Sequence, residues 1–280
     1  MFYLFLATAS SAMVSIFMRI TEKYVRNNMV MFTANYAICL TLSLLYIGDT
    51  RFFTNESGIE IVAALGLISG FLYLLSFVLL QKNIRYNGVI LSSAAMKLGS
   101  VMIPVLIAIL LFHEQAGRIQ STGIIIAAAA IILMNIEKGE AGKTRNKYWL
   151  IILLLGSGLT DTMANIYDKM GAAVLKNHYL FYTFSAALLT ALVMVLVNKQ
   201  KIRLQDICSG LLIGIPNYYS ARFLLLSLGN VPAVVVYPAY SVGTIIITSM
   251  AGMLIFGEKL SVQKKLALLL ILAALVLLNL

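Results

Sequence analysis

Charge is scarce in this chain: Asp, Glu, Lys and Arg together make up 11% of its 280 residues, against roughly a quarter in an ordinary soluble domain. A chain so poor in charge cannot clothe a globular surface in water, which argues against a soluble enzyme or binding module. Cysteine is nearly absent. Cys39 lies in an apolar run and Cys208 near the start of another, so there is no disulfide framework, metal-ligand spacing or redox pair, and both read as small apolar side chains. The two histidines, His113 and His178, fall at predicted helix ends without clustered Cys, Asp or Glu, which excludes a metal centre and leaves no cofactor expected. Neither a Gly-rich phosphate loop nor a nucleophile motif stands in a supporting context, so the chain does not read as an enzyme.

Hydrophobic residues are plentiful instead, at 61%. Bilayer hydrocarbon is ~30 Å thick and a spanning helix needs roughly 20 apolar residues; segments of that length recur with little between them. The pattern predicts an all-α polytopic membrane protein of ten transmembrane helices. In order they run about Phe2 to Ile20, Met29 to Ile47, Ile59 to Leu80 and Gly88 to Phe112, and then, after the turn His113 to Arg118, a fifth that closes at Ile136. The second set runs Tyr148 to Tyr167, Tyr179 to Val197, Ile207 to Leu228, Val231 to Phe256 and Leu260 to Leu280. Gly48 to Gly58 and Lys82 to Asn87 (KNIRYN) read as turns, and the hydrophilic run Glu137 to Lys147 as a linker. Three parts follow: a first five-helix repeat (1–136), a linker loop (137–147) and a second five-helix repeat (148–280). The N-terminal residues are apolar without a basic leader or a small-residue cleavage site, so they are expected to stay as a helix and not to be a signal peptide.

The repeats are visible in the residues. Ser93 to Asn135 recurs 144 positions later as Tyr237 to Asn279, with Gly99 on Gly243, Phe112 on Phe256, Glu114 on Glu258 and Asn135 on Asn279. Ser93, Lys97 and Ser100 map onto Tyr237, Ser241 and Thr244, and their spacing puts each set on one helix face. At a shift of 146, Ser11, Ser15 and Arg19 meet Ser157, Asp161 and Asn165, and Tyr73 and Ser76 meet Tyr219 and Arg222. An odd number of helices per half inverts the second repeat relative to the first. The net charge of +10 sits in short loops, 15 Lys and Arg on one side against 4 on the other, and so reports orientation and not a nucleic-acid partner. Positive loops stay cytoplasmic, which predicts a multi-pass protein of the cell (inner) membrane with both termini non-cytoplasmic.

Three ionisable residues fall inside predicted spans. At 1.5 Å per residue, Lys97 lies ~14 Å and Asp161 ~20 Å from the cytoplasmic helix end, and Arg222 ~9 Å from the outer end. Each needs a partner or a wet cavity, since a charge at such depth costs at least ~2.5 to 3.5 kcal/mol. Two readings stand for the first pair: a Lys97 to Asp161 ion pair that locks helices, or Lys97 facing a cavity to meet an anionic substrate with Asp161 as a protonatable partner. Arg222 either shares that cavity or snorkels to outer headgroups. The expected substrate site comprises Lys97, Asp161, Tyr73, Tyr219, Tyr237, Ser241, Ser93, Asn165 and Arg222. Any single tyrosine among these also reads as packing plus one hydrogen bond. Gly99 and Gly243 read as sites of close helix approach, and Gly70, Pro216, Pro232 and Pro238 as places where helices bend or move.

The ten-helix duplicated layout and the run NVPAVVVYPAYSVGTIIITSMAGMLIFGEKLS from Asn230 to Ser261 resemble the drug/metabolite transporter superfamily, in particular its EamA-like transporters. The run looks like that family's ninth helix and its Gly-Glu-Lys-Leu turn, and FHEQ from Phe112 to Gln115 is the echo in the first half. The resemblance spans nearly the whole chain and implies alternating-access transport, often export, with the third, fourth, eighth and ninth helices around the cavity. Lys97 is reminiscent of the phosphate-sugar translocating branch, although the ninth helix carries no basic residue. The loop charges also place the termini opposite to many members. The function expected is secondary active transport of a small polar or anionic metabolite, amino-acid-like or drug-like, in the lipid bilayer, with a proton or counter-solute as coupling partner. The alternative is a structural or scaffolding membrane protein whose buried charges merely pair.

Overall fold

A computed structural model describes residues 2–47, 58–111, 117–135, 148–228 and 233–278. The expected linker, most of the first polar turn, His113, Glu114, Asn230 and Pro232 lie outside these residues. Among the described residues the fold is all-helical: α1 (Phe2–Thr21), α2 (Asn28–Ile47), α3 (Ile59–Leu111), α4 (Arg118–Asn135), α5 (Tyr148–Met170), α6 (Lys176–Val197), α7 (Leu204–Leu228), α8 (Ala233–Leu254) and α9 (Val262–Leu278). Five helices, Phe2–Thr21, Asn28–Ile47, Ile59–Ile103, Tyr148–Tyr167 and Lys176–Val197, are long and apolar enough to cross a membrane.

Polarity is arranged inside out. Leu45, Val193 and Leu269 are 71%, 55% and 63% exposed on the outer surface, whereas Ser76, Asn217 and Thr248 are buried within. Water would punish that surface, and lipid favours it.

The KNIRYN segment differs from its expected form as a turn, because α3 continues through it. Side chains hold it helical: Asn83 Nδ2 donates to the Leu79 and Trp149 carbonyls, each at 2.9 Å, and Asn87 donates to Asn83 Oδ1 at 3.0 Å. Lys82 adds its ammonium over the Trp149 ring, 3.4 Å from the centroid. The chain bends only at Gly88, whose φ of 80° and ψ of 169° form a conformation essentially confined to glycine. Residues 59–87 and 89–111 are thus two arms of one element.

Contacts set the helix directions. Arg19, near the end of α1, donates to the Ile84 carbonyl, and Asn83 reaches Trp149 at the start of α5. The end of α1 and the start of α5 therefore lie together, and the two helices run oppositely. Asp206, in the first turn of α7, accepts from the Arg26 and Asn27 amides at that same end of the bundle. The opposite end joins α2 to α6 through Asn177, which donates to the Tyr46 carbonyl at 3.0 Å. We call the first the basic end, since Arg19, Lys23, Arg26, Lys82 and Arg85 gather there.

The most extensive packing joins the first half of the chain to the second: α3 with α5 and α6, α2 with α7 and α6, α1 with α7 and α8, and α4 with α9. Glycines open these crossings. A Cβ on Gly70 would overlap the Thr183 carbonyl of α6, one on Gly214 would overlap Ile38 of α2, and Gly66 and Gly210 repeat the arrangement one turn earlier. Gly99 admits Leu154 of α5, as Gly243 admits Thr8 of α1. In each pair the second glycine follows the first by 144 positions. This register differs by two residues from the expected alignment of Tyr73 with Tyr219. With the glycines matched, Tyr73 and Ser76 fall on Asn217 and Ser220, two residues earlier, because the missing Cβ fixes where helices touch and aromatic identity does not.

Candidate functional site

An interior cavity of about 50 Å3 lies where α1, the two arms of α3, α5, α7 and α8 meet. Ser11, Val14 and Ser15 come from α1, and Ser157, Thr160 and Asp161 from α5, each 146 positions after its counterpart. Tyr73, Ser76 and Met96 of α3 face the same space as Asn217, Ser220 and Tyr240, each 144 positions on. Ser93 and Lys97 complete the polar wall.

Lys97 is 6% exposed. Its ammonium sits over the Tyr240 ring, 3.7 Å from the centroid, and the Tyr240 hydroxyl bonds Ser220 at 2.9 Å. The ring is therefore held from both sides. Asp161 also faces the cavity, with Lys97 and the Ser100 hydroxyl as the groups acting on its carboxylate. The two charges are not in ion-pair contact: among the described residues, the ion pairs are those of Arg19 with Glu22 and Glu258. A desolvated cation–π contact contributes ~2 kcal/mol or more, below or at the lower edge of the cost of placing an ammonium at that depth. Lys97 is thus only partly compensated by its ring, and Asp161 is the acidic group on the same cavity wall. Around the pair, Ser76 bonds Thr160 at 2.8 Å, Ser157 donates to the Met96 carbonyl at 3.0 Å, and the buried Ser93 hydroxyl has no partner among the described residues.

Of the residues expected to form the site, Lys97, Asp161, Tyr73 and Ser93 come together in this cavity. Tyr73 stacks on Phe77 and meets Phe184 edge-on. Asn165 is half-buried one turn beyond Asp161 and does not line the cavity. Ser241 is buried beside Tyr240, its hydroxyl unpartnered and its side chain off the lining. Tyr237 belongs to α8, but its side chain is outside the described residues. Tyr219 instead borders an outward apolar groove with Met13, Phe17 and Phe223. Arg222 does not line the cavity. Its guanidinium covers the Tyr46 ring at 3.6 Å from the centroid and donates to Asn177 Oδ1 at 2.8 Å. Tyr46, stacked on Tyr218, also meets the Tyr219 hydroxyl at 3.4 Å, so an aromatic cluster stands at the end opposite the basic one.

Besides Thr160 and Tyr240, the lining residues outside the expected site include Asn217 and Ser220. The glycine pairs, 66 with 210 and 70 with 214, carried the signal that would have found them.

The basic end carries a second arrangement. Glu258, just past α8, accepts hydrogen bonds from the amides of Val89 at 2.7 Å and Ile90 at 3.2 Å, the start of the second arm of α3. Arg19 Nε stands 3.9 Å from the same carboxylate and also pairs with Glu22. A carboxylate at a helix N-terminus satisfies amides that lack intrahelical partners and complements the helix dipole.

No protein-family model matches the sequence. An uncharacterized protein of Haemophilus influenzae is 24% identical over 276 residues, covering 92% of this chain and 90% of that protein. Among solved structures, one protein known from a crystal structure superposes with a TM-score of 0.66 at 11% identity, covering 99% of this chain and 94% of the other. At that identity the likeness concerns the fold alone.

Proposed function

We propose that this protein is a secondary transporter of the EamA-like, drug/metabolite type, carrying a small polar or anionic solute through a cavity centred on Lys97 and Asp161. The observation that carries the reading is a buried ammonium facing an interior polar cavity with an aromatic ring, and no direct ion pair, for support. Intramembrane ionisable groups of this kind mark substrate or ion pathways. Ten spans in two inverted repeats fit the molecule if the arms of α3 count separately. The opposed directions of α1 and α5, and lining residues that recur at 144 or 146 positions, support that count. The gathering of Lys and Arg at one end supports a cytoplasmic basic end with non-cytoplasmic termini.

The cavity of about 50 Å3 is far smaller than the roughly 300 to 1,000 Å3 of small-molecule sites. A solute therefore enters only after helices part. Glu258 and Arg19 close the basic end in this conformation, and the Tyr46, Tyr218 and Arg222 group closes the other. Alternating access opens one seal at a time.

Transport in proteoliposomes, screened across amino acids, organic anions and small amines, tests the reading. Lys97→Ala is expected to lose at least ~10-fold in transport at normal abundance, in line with losing a charge-assisted contact of ~1.5 to 3 kcal/mol. Unchanged transport in that variant would remove Lys97 from the pathway. The scaffold alternative expects the reverse: a Lys97→Met, Asp161→Leu double variant that assembles normally, beside a wild type that moves no solute.

A further inference from the structure

We propose that the cleft at the basic end of α1 is a binding site for the headgroup of an anionic phospholipid. The cleft, about 770 Å3, is walled by Arg19, Glu22, Lys23 and Arg85 together with Ile20, Val25, Ile255 and Phe256. Three cations thus face one carboxylate. Arg19 and Glu22 satisfy each other, and Arg19 leans also on Glu258. Lys23 rests 4.7 Å over the ring of its neighbour Tyr24, and Arg85 is exposed with no ion-pair partner among the described residues. Two positive charges therefore share one concave space without an acid to match them. A phosphate is the anion whose charge and acceptor geometry suit a guanidinium and an ammonium together.

The apolar half of the wall decides between a soluble phosphate and a lipid. Ile255 is 64% exposed and Ile20 37% exposed, beside the basic side chains of the same cleft. A free anion gains nothing from those side chains, whereas the glycerol and first acyl carbons of a phospholipid cover them. Depth agrees as well. Arg19 lies in the last turn of α1 and Lys23 just past Thr21, the level at which a membrane-spanning helix leaves hydrocarbon for headgroups. Basic pockets between helices at this level take anionic headgroups.

The test is binding of phosphatidylglycerol to the purified full chain in micelles containing excess phosphatidylcholine, read by native mass spectrometry and by titration of a fluorescent phosphatidylglycerol. Lys23→Gln with Arg85→Gln is compared with Lys199→Gln with Lys201→Gln, which removes the same charge from the same end outside the cleft. The expected result is retention of phosphatidylglycerol over phosphatidylcholine by wild type and control, and roughly tenfold or greater weakening in the cleft variant. Equal weakening in the control would reduce the effect to surface charge and overturn the proposal, as would unweakened binding in the cleft variant. Displacement by inorganic phosphate or glycerol phosphate at the concentration of the lipid would assign the site to a soluble anion and overturn it too. Should the double variant not be recovered folded, Arg85→Gln alone, at an exposed side chain, makes the same comparison.

Discussion

Replacing Gly88 by Ala sets two penalties on one atom. The backbone at φ 80° and ψ 169° lies in a region that costs a residue with a Cβ ~1 to 3 kcal/mol. The added methyl would also stand 2.8 Å from each oxygen of the Glu258 carboxylate, which must then withdraw from the Val89 and Ile90 amides. Capping of that kind contributes ~0.5 to 2 kcal/mol, and the Glu258 side chain, 13% exposed, sits at the buried end of surface behaviour. The sum is ~1.5 to 5 kcal/mol. In a Glu258→Ala background the methyl displaces nothing, and only the ~1 to 3 kcal/mol of backbone strain remains. The two substitutions are therefore expected to couple by ~0.5 to 2 kcal/mol, beyond the ~0.3 to 0.5 kcal/mol within which independent sites add. The assay is a double-mutant cycle of reversible unfolding, by dodecyl sulfate titration in mixed micelles followed by circular dichroism. Gly88→Ala costing the same with and without Glu258 would refute the contact between the kink and the carboxylate, whatever the size of the single effects.

Three further outcomes are expected. Gly99→Ala, which would press a methyl into the Leu154 carbonyl, should destabilise by ~1 to 3 kcal/mol, whereas Gly117→Ala, with nothing within 4 Å of the added carbon, should leave the melting temperature unchanged; equal melting of the two would contradict the close crossing of α3 and α5. Tyr240→Phe keeps the ring beneath Lys97 and loses only the Ser220 bond, while Tyr240→Leu loses the ring as well, so solute affinity should fall by no more than ~10-fold in the first and further in the second; the opposite order in proteoliposome transport would rule out the cation–π support. In a Cys208→Ser background, a cysteine placed at Ser15 should react faster with a membrane-impermeant thiol reagent from the basic end when Glu258→Gln is added, and an unchanged rate would mean that Glu258 does not close that end.

The all-helical, apolar class was legible in the sequence because it rests on many residues at once. Apolar runs of spanning length announce helices wherever they fall. Lys97 and Asp161 stood out for a physical reason, since a charge within an apolar run demands an answer. What escaped depended on single-residue register. Tyr73 aligned with Tyr219 shares more chemistry than Tyr73 with Asn217, yet the crossing depth is set by Gly66, Gly70, Gly210 and Gly214. A two-residue slip turns a helix by ~200°, so it carries Tyr219 from the cavity to the outer groove and brings Asn217 and Ser220 in. The run 82–87 misled for another reason: its asparagines look like turn formers, and their helical bonds, to Leu79 and Trp149, need a neighbouring helix to exist.

The interleaving of the two halves constrains how such a bundle can move. Rocking residues 2–135 as a block against 148–278 would tear the most extensive contacts in the molecule, those of α3 with α5, α2 with α7 and α4 with α9. Close-packed crossings built on glycine do not stretch, because a gap of even 0.5 to 1 Å forfeits a quarter to a half of the dispersion attraction. Any units that move as wholes must therefore each draw helices from both halves. Within α3 the helix breaks at Gly88, where a hinge would fall, and Glu258, just past α8, bonds the amides directly after it. A hinge of that kind needs a residue free to change φ and a contact that can be made or broken beside it, and the basic end supplies both within one helical turn.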